Sequence, residues 1–437
     1  MIATDSHGSE IVLESMNGKV RMPLPKILRW FWIGSVVAFG LMLLVNYLKY
    51  LAGIPRNARF PFGEPLFGDL LEFVPAFQHA HTPWFFRSTA FSGIAYPPLG
   101  AVLYAPLYSF GHPVVFYLGI FALWLAIAIG EVRQRLIDHG IDQVTAMLFP
   151  LTLAAVSFPI EGLIQRGNTE LFVWILTAVG IWAFLRDRDK MSAVLWGLAA
   201  ATKLYPMILL ALLLAKLRLK AFVLGLATFV VASLLSMAYM GPSMSVALRR
   251  SLRNVFGYQN FRASELNLHG FAANHSAFVP VRFAALVLGG AAVNLTNLYY
   301  LFGALVFIGL FVGRVRKMPV TNQVLVVTAF MVLLPPISYF YTLTNLYVPF
   351  LMLMFLAIRA ERAGVRIPGL MGTVLLFVPI FASFTIFTYP RAFLLGGLVQ
   401  ALMLMSLLLS AIQFPFSIEG ARRVEKEKVL PKAEFGR

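Results

Sequence analysis

The sequence predicts an all-α polytopic membrane protein. Hydrophobic residues fill 59% of the 437 positions. Charged residues fill 13%, against roughly a quarter in soluble domains. Apolar segments approaching the ~20 residues needed to cross a bilayer recur from Ile27 to Phe414, which leaves no space for a separate soluble domain of useful size.

The formal charge of +17, from 36 Lys and Arg against 19 Asp and Glu, would suggest nucleic acid in a soluble chain. Here no basic stripe lies on a soluble module, so nucleic acid is excluded as a partner, and anionic headgroups of membrane lipids together with the positive-inside rule account for the charge. The chain has no Cys, so it carries no disulfide framework and no thiol nucleophile.

Short basic clusters divide the apolar segments and serve as cytoplasmic markers. They are Arg133 and Arg135, Arg186 to Lys190, Lys216 to Lys220, Arg314 to Lys317, Arg359 to Arg366 and the tail from Arg422. The polar stretch Met1 to Val20 lacks the basic start and short core of a cleavable signal, so the first span, Ile27 to Leu48, is expected to be an anchor. With the N-terminus inside, that span crosses outward. The Pro-broken stretch Tyr96 to Phe110 is then a half-helix dipping into the membrane, and Val114 to Gly130 returns. Val144 to Pro159 and Leu171 to Leu185 form the next pair, and Ser192 to Ala215 reads as two half-spans broken near Pro206. Phe222 to Met240 goes out and Leu298 to Val312 comes in. Val324 to Leu356 makes a pair around Pro335-Pro336, and Leu370 to Phe387 with Phe393 to Phe414 closes the chain. The pattern amounts to about ten full spans and two half-spans, or about 10 to 12 segments.

The expected division is a cytoplasmic segment over 1–26, one transmembrane domain over 27–415 and a basic cytoplasmic tail over 416–437. Within the domain, 49–95 and 241–278 are the first and second large outer loops, joined on that face by Glu161 to Asn168 and Ile337 to Asn345.

Six carboxylates fall on the outer face: Glu64, Asp69, Glu72, Glu161, Glu170 and Glu265. Carboxylates at an apolar interface are costly to bury and are functional candidates by default, and proton abstraction from a hydroxyl needs a base tuned in that way. Asp69 lies between Pro65-Leu66-Phe67-Gly68 and Leu70-Leu71, an apolar setting. The competing assignment is a cap for the short helix starting at Leu70. Gln165, Arg166 and Asn168 supply amide and guanidinium donors around Gly167, and Arg166 can grip a phosphate bidentately; a polar turn capped by Asn168 is the alternative. Lys203, inside an apolar run, must snorkel, pair or hold an anion such as a lipid phosphate.

Arg249, Arg250, Arg253 and Arg262 run against the positive-inside bias on the second outer loop. They fit donor phosphate binding or headgroup contact by an amphipathic helix. His269, Asn274 and His275 follow them, and Trp84, Phe85, Phe86, Phe91 and Tyr96 form either a sugar platform or an interfacial belt. No carboxylate or His pair has metal-ligand spacing.

Several of these motifs occur in a recognisable order: Asp69, Tyr96-Pro97-Pro98-Leu99, Gln165-Arg166-Gly167-Asn168, Gly197-Leu198-Ala199-Ala200 leading to Lys203 and Pro206, and Asn274-His275-Ser276. In this the chain resembles glycosyltransferase family 87 over roughly residues 27 to 350. That resemblance implies a C-type (GT-C-like) helical membrane enzyme with a catalytic first outer loop, using a polyprenyl-phosphate-linked hexose, most commonly mannose, and a lipid or glycan acceptor. It implies that Asp69 is the catalytic base, and inversion at the anomeric carbon if no covalent intermediate forms. A second carboxylate nearby, such as Glu72, would weaken the case for inversion. Arg166, Lys203 and the four loop arginines are then expected at the donor phosphate, with Glu72, Tyr96, Gln165, Asn168, Asn274, His275 and Tyr341 around the substrates. The leaving group carries one phosphate, so no metal or other cofactor is called for. The chain departs from the family where it reads Pro335-Pro336-Ile337-Ser338-Tyr339-Phe340-Tyr341 in place of a Trp and His pair. The expected location is the bacterial cytoplasmic membrane, with both termini inside and the site on the extracytoplasmic face. A flippase for a lipid-linked sugar is the alternative from another class, and would show broken helices in pseudo-symmetric halves; a polysaccharide polymerase or ligase is a further one.

Overall fold

The computed structural model describes residues 24–53, 66–86, 96–264, 274–287, 295–382, 393–419 and 421. Among them the regular structure is helical, apart from one isolated antiparallel bridge between Asn274 and Tyr339. The first half contains α1 (Lys26–Leu51), α2 (Gly68–Glu72), α3 (Val74–Phe77), α4 (Pro98–Val102), α5 (Ala105–Ser109), α6 (Pro113–Asp138), α7 (Gln143–Ala155), α8 (Phe158–Arg166), α9 (Glu170–Phe184) and α10 (Asp189–Thr202). The second half contains α11 (Ala211–Ala215), α12 (Leu219–Met240), α13 (Met244–Ser264), α14 (Phe278–Val287), α15 (Leu295–Gly313), α16 (Val320–Leu333), α17 (Tyr347–Arg362), α18 (Leu370–Ala382) and α19 (Phe393–Gln413). Short 3₁₀ turns at Pro83–Phe86, Tyr205–Leu210 and Phe340–Leu346 join several of them.

Six of the described helical segments are long and apolar enough to cross a membrane: Lys26–Val45, Pro113–Asp138, Leu219–Met240, Leu295–Lys317, Phe340–Arg362 and Gly396–Gln413. A seventh crossing is made if α7 and α8, which meet at 53°, count as one bent span. The sequence pattern led to about ten full spans. The difference lies in α9 and α16, which are apolar but shorter, and in α18, whose expected span Leu370 to Phe387 runs beyond the described residues. At 1.5 Å per residue a 15-residue helix reaches only about 22 Å, less than the ~30 Å hydrocarbon core.

Of these short helices, α9 and α16 are largely covered by protein, while α18 exposes Met371. Every residue of α16 from Asn322 to Leu333 is buried, as expected for a helix apolar all round. The long helices α6 and α15 instead expose large apolar side chains, including Val115, Leu123 and Ile127 on α6 and Leu301, Phe302 and Leu305 on α15. The buried Asn322 of the centre is satisfied locally. The Asn322 side chain donates to the carbonyls of Ala411 and Phe414, both at 2.7 Å, and accepts from the Phe416 amide at 2.8 Å, closing the C-terminal end of α19.

Two breaks position the site. Ser157 caps α8 by accepting from the Ile160 amide, and Pro159 in its first turn prevents α7 from running on. The expected outer loop Glu161 to Asn168 is therefore mostly helix, and the polar residues sit at its C-terminal end. The second break falls at Lys203, whose backbone is extended (φ −146°, ψ 138°), three residues before the Pro206 that marked it in sequence. The segment Ile337 to Asn345, read as an outer loop, folds largely into the buried turn Phe340–Leu346.

Candidate active site

Asp69 occupies the second position of α2, with its side chain 9% exposed. It does not cap the helix: Phe67 holds the cap position, with no side-chain cap bond. The carboxylate instead accepts from two groups at the α8–α9 junction, the Arg166 guanidinium at Oδ1 and the Asn168 amide at Oδ2. Arg166 is 40% exposed, so its charge neutralises the buried carboxylate on one side and faces outward on the other.

The backbone at this junction is held from several directions. Phe67 adopts the left-handed region (φ 57°), which costs a non-Gly residue roughly 1–2 kcal/mol. Its amide is secured on the Gln165 carbonyl. Gly167 ends α8 at φ 60°, the conformation glycine favours at this position. Three tyrosines from the neighbouring segment pin the surrounding carbonyls. Tyr104 donates to Gly167 at 2.9 Å, Tyr117 to Asn168 at 3.1 Å, and Tyr108 to Leu70. The Gly167 and Leu70 carbonyls lie at helix ends that leave them free, and the Asn168 carbonyl also accepts from the Leu171 amide at 3.2 Å.

Asn168 is the centre of the cluster. Its Nδ2 donates to Asp69 and, at 2.8 Å, to the Tyr96 hydroxyl. Its Oδ1 accepts from the Glu170 amide at 2.9 Å and from Lys203 Nζ at 2.7 Å. The Asn168 oxygen thus ties the start of α9, although Thr169 rather than Asn168 holds the cap position there, and its nitrogen grips Asp69. Lys203 also donates to Glu170 Oε2 at 2.8 Å, and its ammonium faces the rings of Tyr341 at 4.9 Å and Tyr96 at 5.6 Å. Of the readings open for Lys203, to snorkel, to pair or to hold an anion such as a lipid phosphate, the structure shows the pairing, with a protein carboxylate.

Glu170 was among the outer carboxylates but not among the expected site residues. It is fully buried and accepts from Lys203, from the Tyr205 hydroxyl and, at 2.6 Å, from Asn345 Nδ2. Asn345 is in turn held by Thr177 at 2.6 Å. A signal for this role was present in sequence, because a Lys inside an apolar run requires a counter-ion.

Asn274 and His275 form a separate polar cluster. The Asn274 side chain donates to the Pro336 carbonyl at 2.8 Å and accepts from the Ser338 amide at 2.9 Å. The His275 amide donates to the Ser338 carbonyl at 2.9 Å, and its Nε2 lies 3.0 Å from Ser338 Oγ and 3.2 Å from Thr342 Oγ1. Burial pushes the His275 imidazole down to about 3, so it is neutral at ordinary pH. These contacts fasten the segment that carries Tyr341.

Arg249, Arg250 and Arg253 lie on α13. The helix packs on the turn Pro83–Phe86, where Arg250 donates to the Pro83 carbonyl at 3.5 Å. That turn packs on α3, which adjoins α2. Ala247, Ser251 and Val255 make the buried face, while Met244, Leu248 and Leu252 form an exposed apolar stripe. Glu72 is half-buried on α2. Glu64, Phe91, Glu265, His269 and the side chain of Arg262 lie outside the described residues.

A polytopic helical protein with a buried carboxylate and cations at the ends of its broken helices has the form of a membrane-embedded enzyme, and comparison with known families gives its class. Residues 95–335, more than half of the chain, match the model of glycosyltransferase family 87. The protein belongs to that family and is a membrane glycosyltransferase. The matched residues include Tyr96, Arg166, Asn168, Lys203 and His275, whereas Asp69 and Tyr341 lie outside them. No curated protein and no solved structure matches the chain.

Proposed function

We propose that the protein transfers a hexose, mannose by its resemblance to the family, from a polyprenyl-phosphate donor to a lipid or glycan acceptor at the extracytoplasmic face, with inversion and with Asp69 as the base. The observation that carries this reading is the pairing of a buried Asp69 with a half-exposed Arg166. A carboxylate and a cation side by side match the two charges the reaction must handle, the proton leaving the acceptor and the negative charge growing on the phosphate.

In this reading the acceptor hydroxyl attacks the anomeric carbon. Asp69 takes its proton as the new C–O bond forms, the bond to the phosphate oxygen breaks, and the polyprenyl phosphate departs with the electron pair. Each Asp69 oxygen accepts one protein hydrogen bond, and a carboxylate oxygen has room for a second, so the base can engage a hydroxyl without giving up Arg166 or Asn168. Arg166 meets the phosphate. The arginines of α13 supply further positive charge along the approach of the anionic donor, while Tyr96 and Tyr341 offer ring faces beside the acceptor.

The test is transfer from radiolabelled polyprenyl-phosphate-mannose to a native lipid extract, in membranes carrying the wild-type protein or Asp69→Asn. The expected result is wild-type transfer that is lost in a variant which still inserts and still binds donor. Transfer retained by Asp69→Asn would assign the base elsewhere. Failure of the wild type to use this donor would overturn the donor assignment.

A further inference from the structure

Beyond the base and the phosphate-binding cation, we propose that Glu170 is a positioning residue, which acts through Lys203 and Asn168 to hold Asp69 in its working orientation. The proposal rests on the reading of Asp69 as the base. It follows from hydrogen-bond polarity: Glu170 does not touch Asp69, yet the groups between them connect in only one sense.

The Asn168 amide can in principle sit either way round. Its Oδ1 faces two donors, the Lys203 ammonium at 2.7 Å and the Glu170 backbone amide at 2.9 Å. Its Nδ2 faces the acceptor oxygens of Asp69 and the Tyr96 hydroxyl. A flipped amide would set donor against donor on one side and oxygen against carboxylate on the other, so the orientation is fixed as long as Lys203 stays in place. Lys203 stays because Glu170 Oε2 takes its second donor at 2.8 Å. Glu170 is itself immobilised by Tyr205 and Asn345, and Asn345 by Thr177.

The chain of contacts therefore alternates in sign: Glu170 carboxylate, Lys203 ammonium, Asn168 dipole, Asp69 carboxylate. Arg166 completes the charge balance, with two carboxylates and two cations within one connected cluster. Apart from the half-exposed Arg166 the cluster is buried where effective dielectric is low, so removal of one charge is felt by the others. Among the described residues, the ionisable side chains facing it are Asp69, Glu170, Arg166, Lys203 and the hydroxyls of Tyr96, Tyr104, Tyr117, Tyr205 and Tyr341.

The test compares Glu170→Gln, Lys203→Met and the double variant with wild type and Asp69→Asn in the transfer assay, over a range of pH. Glu170→Gln should lower kcat by about tenfold or more, with donor KM within about twofold, since small misplacements of a reacting group have effects of that size. The two single variants should move the acid limb of the kcat profile in opposite directions, by about half a pH unit or more. Glu170→Gln leaves an extra positive charge that favours ionised Asp69 and shifts the limb down; Lys203→Met leaves an extra negative charge and shifts it up. The double variant should return the limb towards its wild-type position, and Glu170→Asp should recover part of kcat. A purely structural role would lower the melting temperature and leave the limb where it was, which would overturn the proposal. A rise in donor KM at constant kcat would also overturn it, by assigning the pair to donor binding. If Glu170→Gln does not fold, Asn345→Ala, which removes one donor from Glu170, carries the same prediction for kcat. Asp69→Asn separates the two ideas. If it is inactive while Glu170→Gln behaves as wild type, the positioning role alone fails; if it retains transfer, the base assignment fails as well.

Discussion

A β-carbon on Gly167 would lie 2.8 Å from the β-carbon of Leu70, closer than two such atoms approach in a folded protein. Leu70 follows Asp69 and Gly167 follows Arg166, so this contact sets how near the carboxylate and the guanidinium can come. Gly167→Ala combines that collision with a side chain at φ 60°. It should cost about 2–4 kcal/mol of stability, read as a lower melting temperature in detergent, and should reduce transfer further by separating Asp69 from Arg166. Full transfer by a folded Gly167→Ala protein would show that this spacing is unimportant.

Asn168→Asp should be more damaging than Asn168→Ala. The alanine removes one donor from Asp69, whereas the aspartate places a second carboxylate at hydrogen-bonding distance from the first, with like charges in a buried setting. Because two adjacent carboxylates share a proton, the aspartate variant should regain part of its transfer at low pH and the alanine variant should not. Parallel pH profiles of the two variants are the measurement.

Arg166→Lys preserves the charge and loses the planar fork. A lysine can serve Asp69 or the donor phosphate as a point charge but cannot present parallel donors to both. Donor KM should rise by about tenfold, equivalent to about 1.4 kcal/mol, with a smaller change in kcat. A loss confined to kcat would place Arg166 at the base alone.

His275 gives a stability prediction with a definite sign. Its folded value of about 3 lies below the ordinary 6.5 of an exposed histidine. The unfolded chain therefore binds the proton first. The contribution of the neutral histidine is complete above about pH 6.5 and is lost as pH falls towards 3, with about 2 kcal/mol gone by pH 5. His275→Gln, which stays uncharged, should flatten the dependence of melting temperature between pH 7 and pH 5. An unchanged slope would assign the acid sensitivity to other groups.

The polar residues of the cluster were legible because each interrupts apolar sequence. Asp69, Arg166, Asn168 and Lys203 stand out for that reason, and all four meet in space. What could not be read was who pairs with whom. The partner of Lys203 is 33 residues away, and the two meet only because α10 breaks at Lys203 and leaves its backbone extended. Hydropathy also treated each apolar run as a crossing. It could not distinguish α16, buried from Asn322 to Leu333, from α15, which presents its side chains outward, since both are predominantly apolar in composition. The bend before α8 was missed because Ser157 and Pro159 lie within an otherwise apolar stretch, and a break of that kind changes direction without changing hydropathy.

The junction of α8 and α9 joins the negative end of one helix macrodipole to the positive end of the next. Arg166 lies in the last turn of α8 and Glu170 in the first turn of α9, each the sign that its helix end favours, by about 0.3–1 kcal/mol. The backbone thereby gives the cluster a handedness of charge before any side chain is considered. Exchanging the two residues, arginine for glutamate and glutamate for arginine, would leave the net charge untouched and set both side chains against the peptide field. The order of cation before anion along this turn is a property of how the two helices meet.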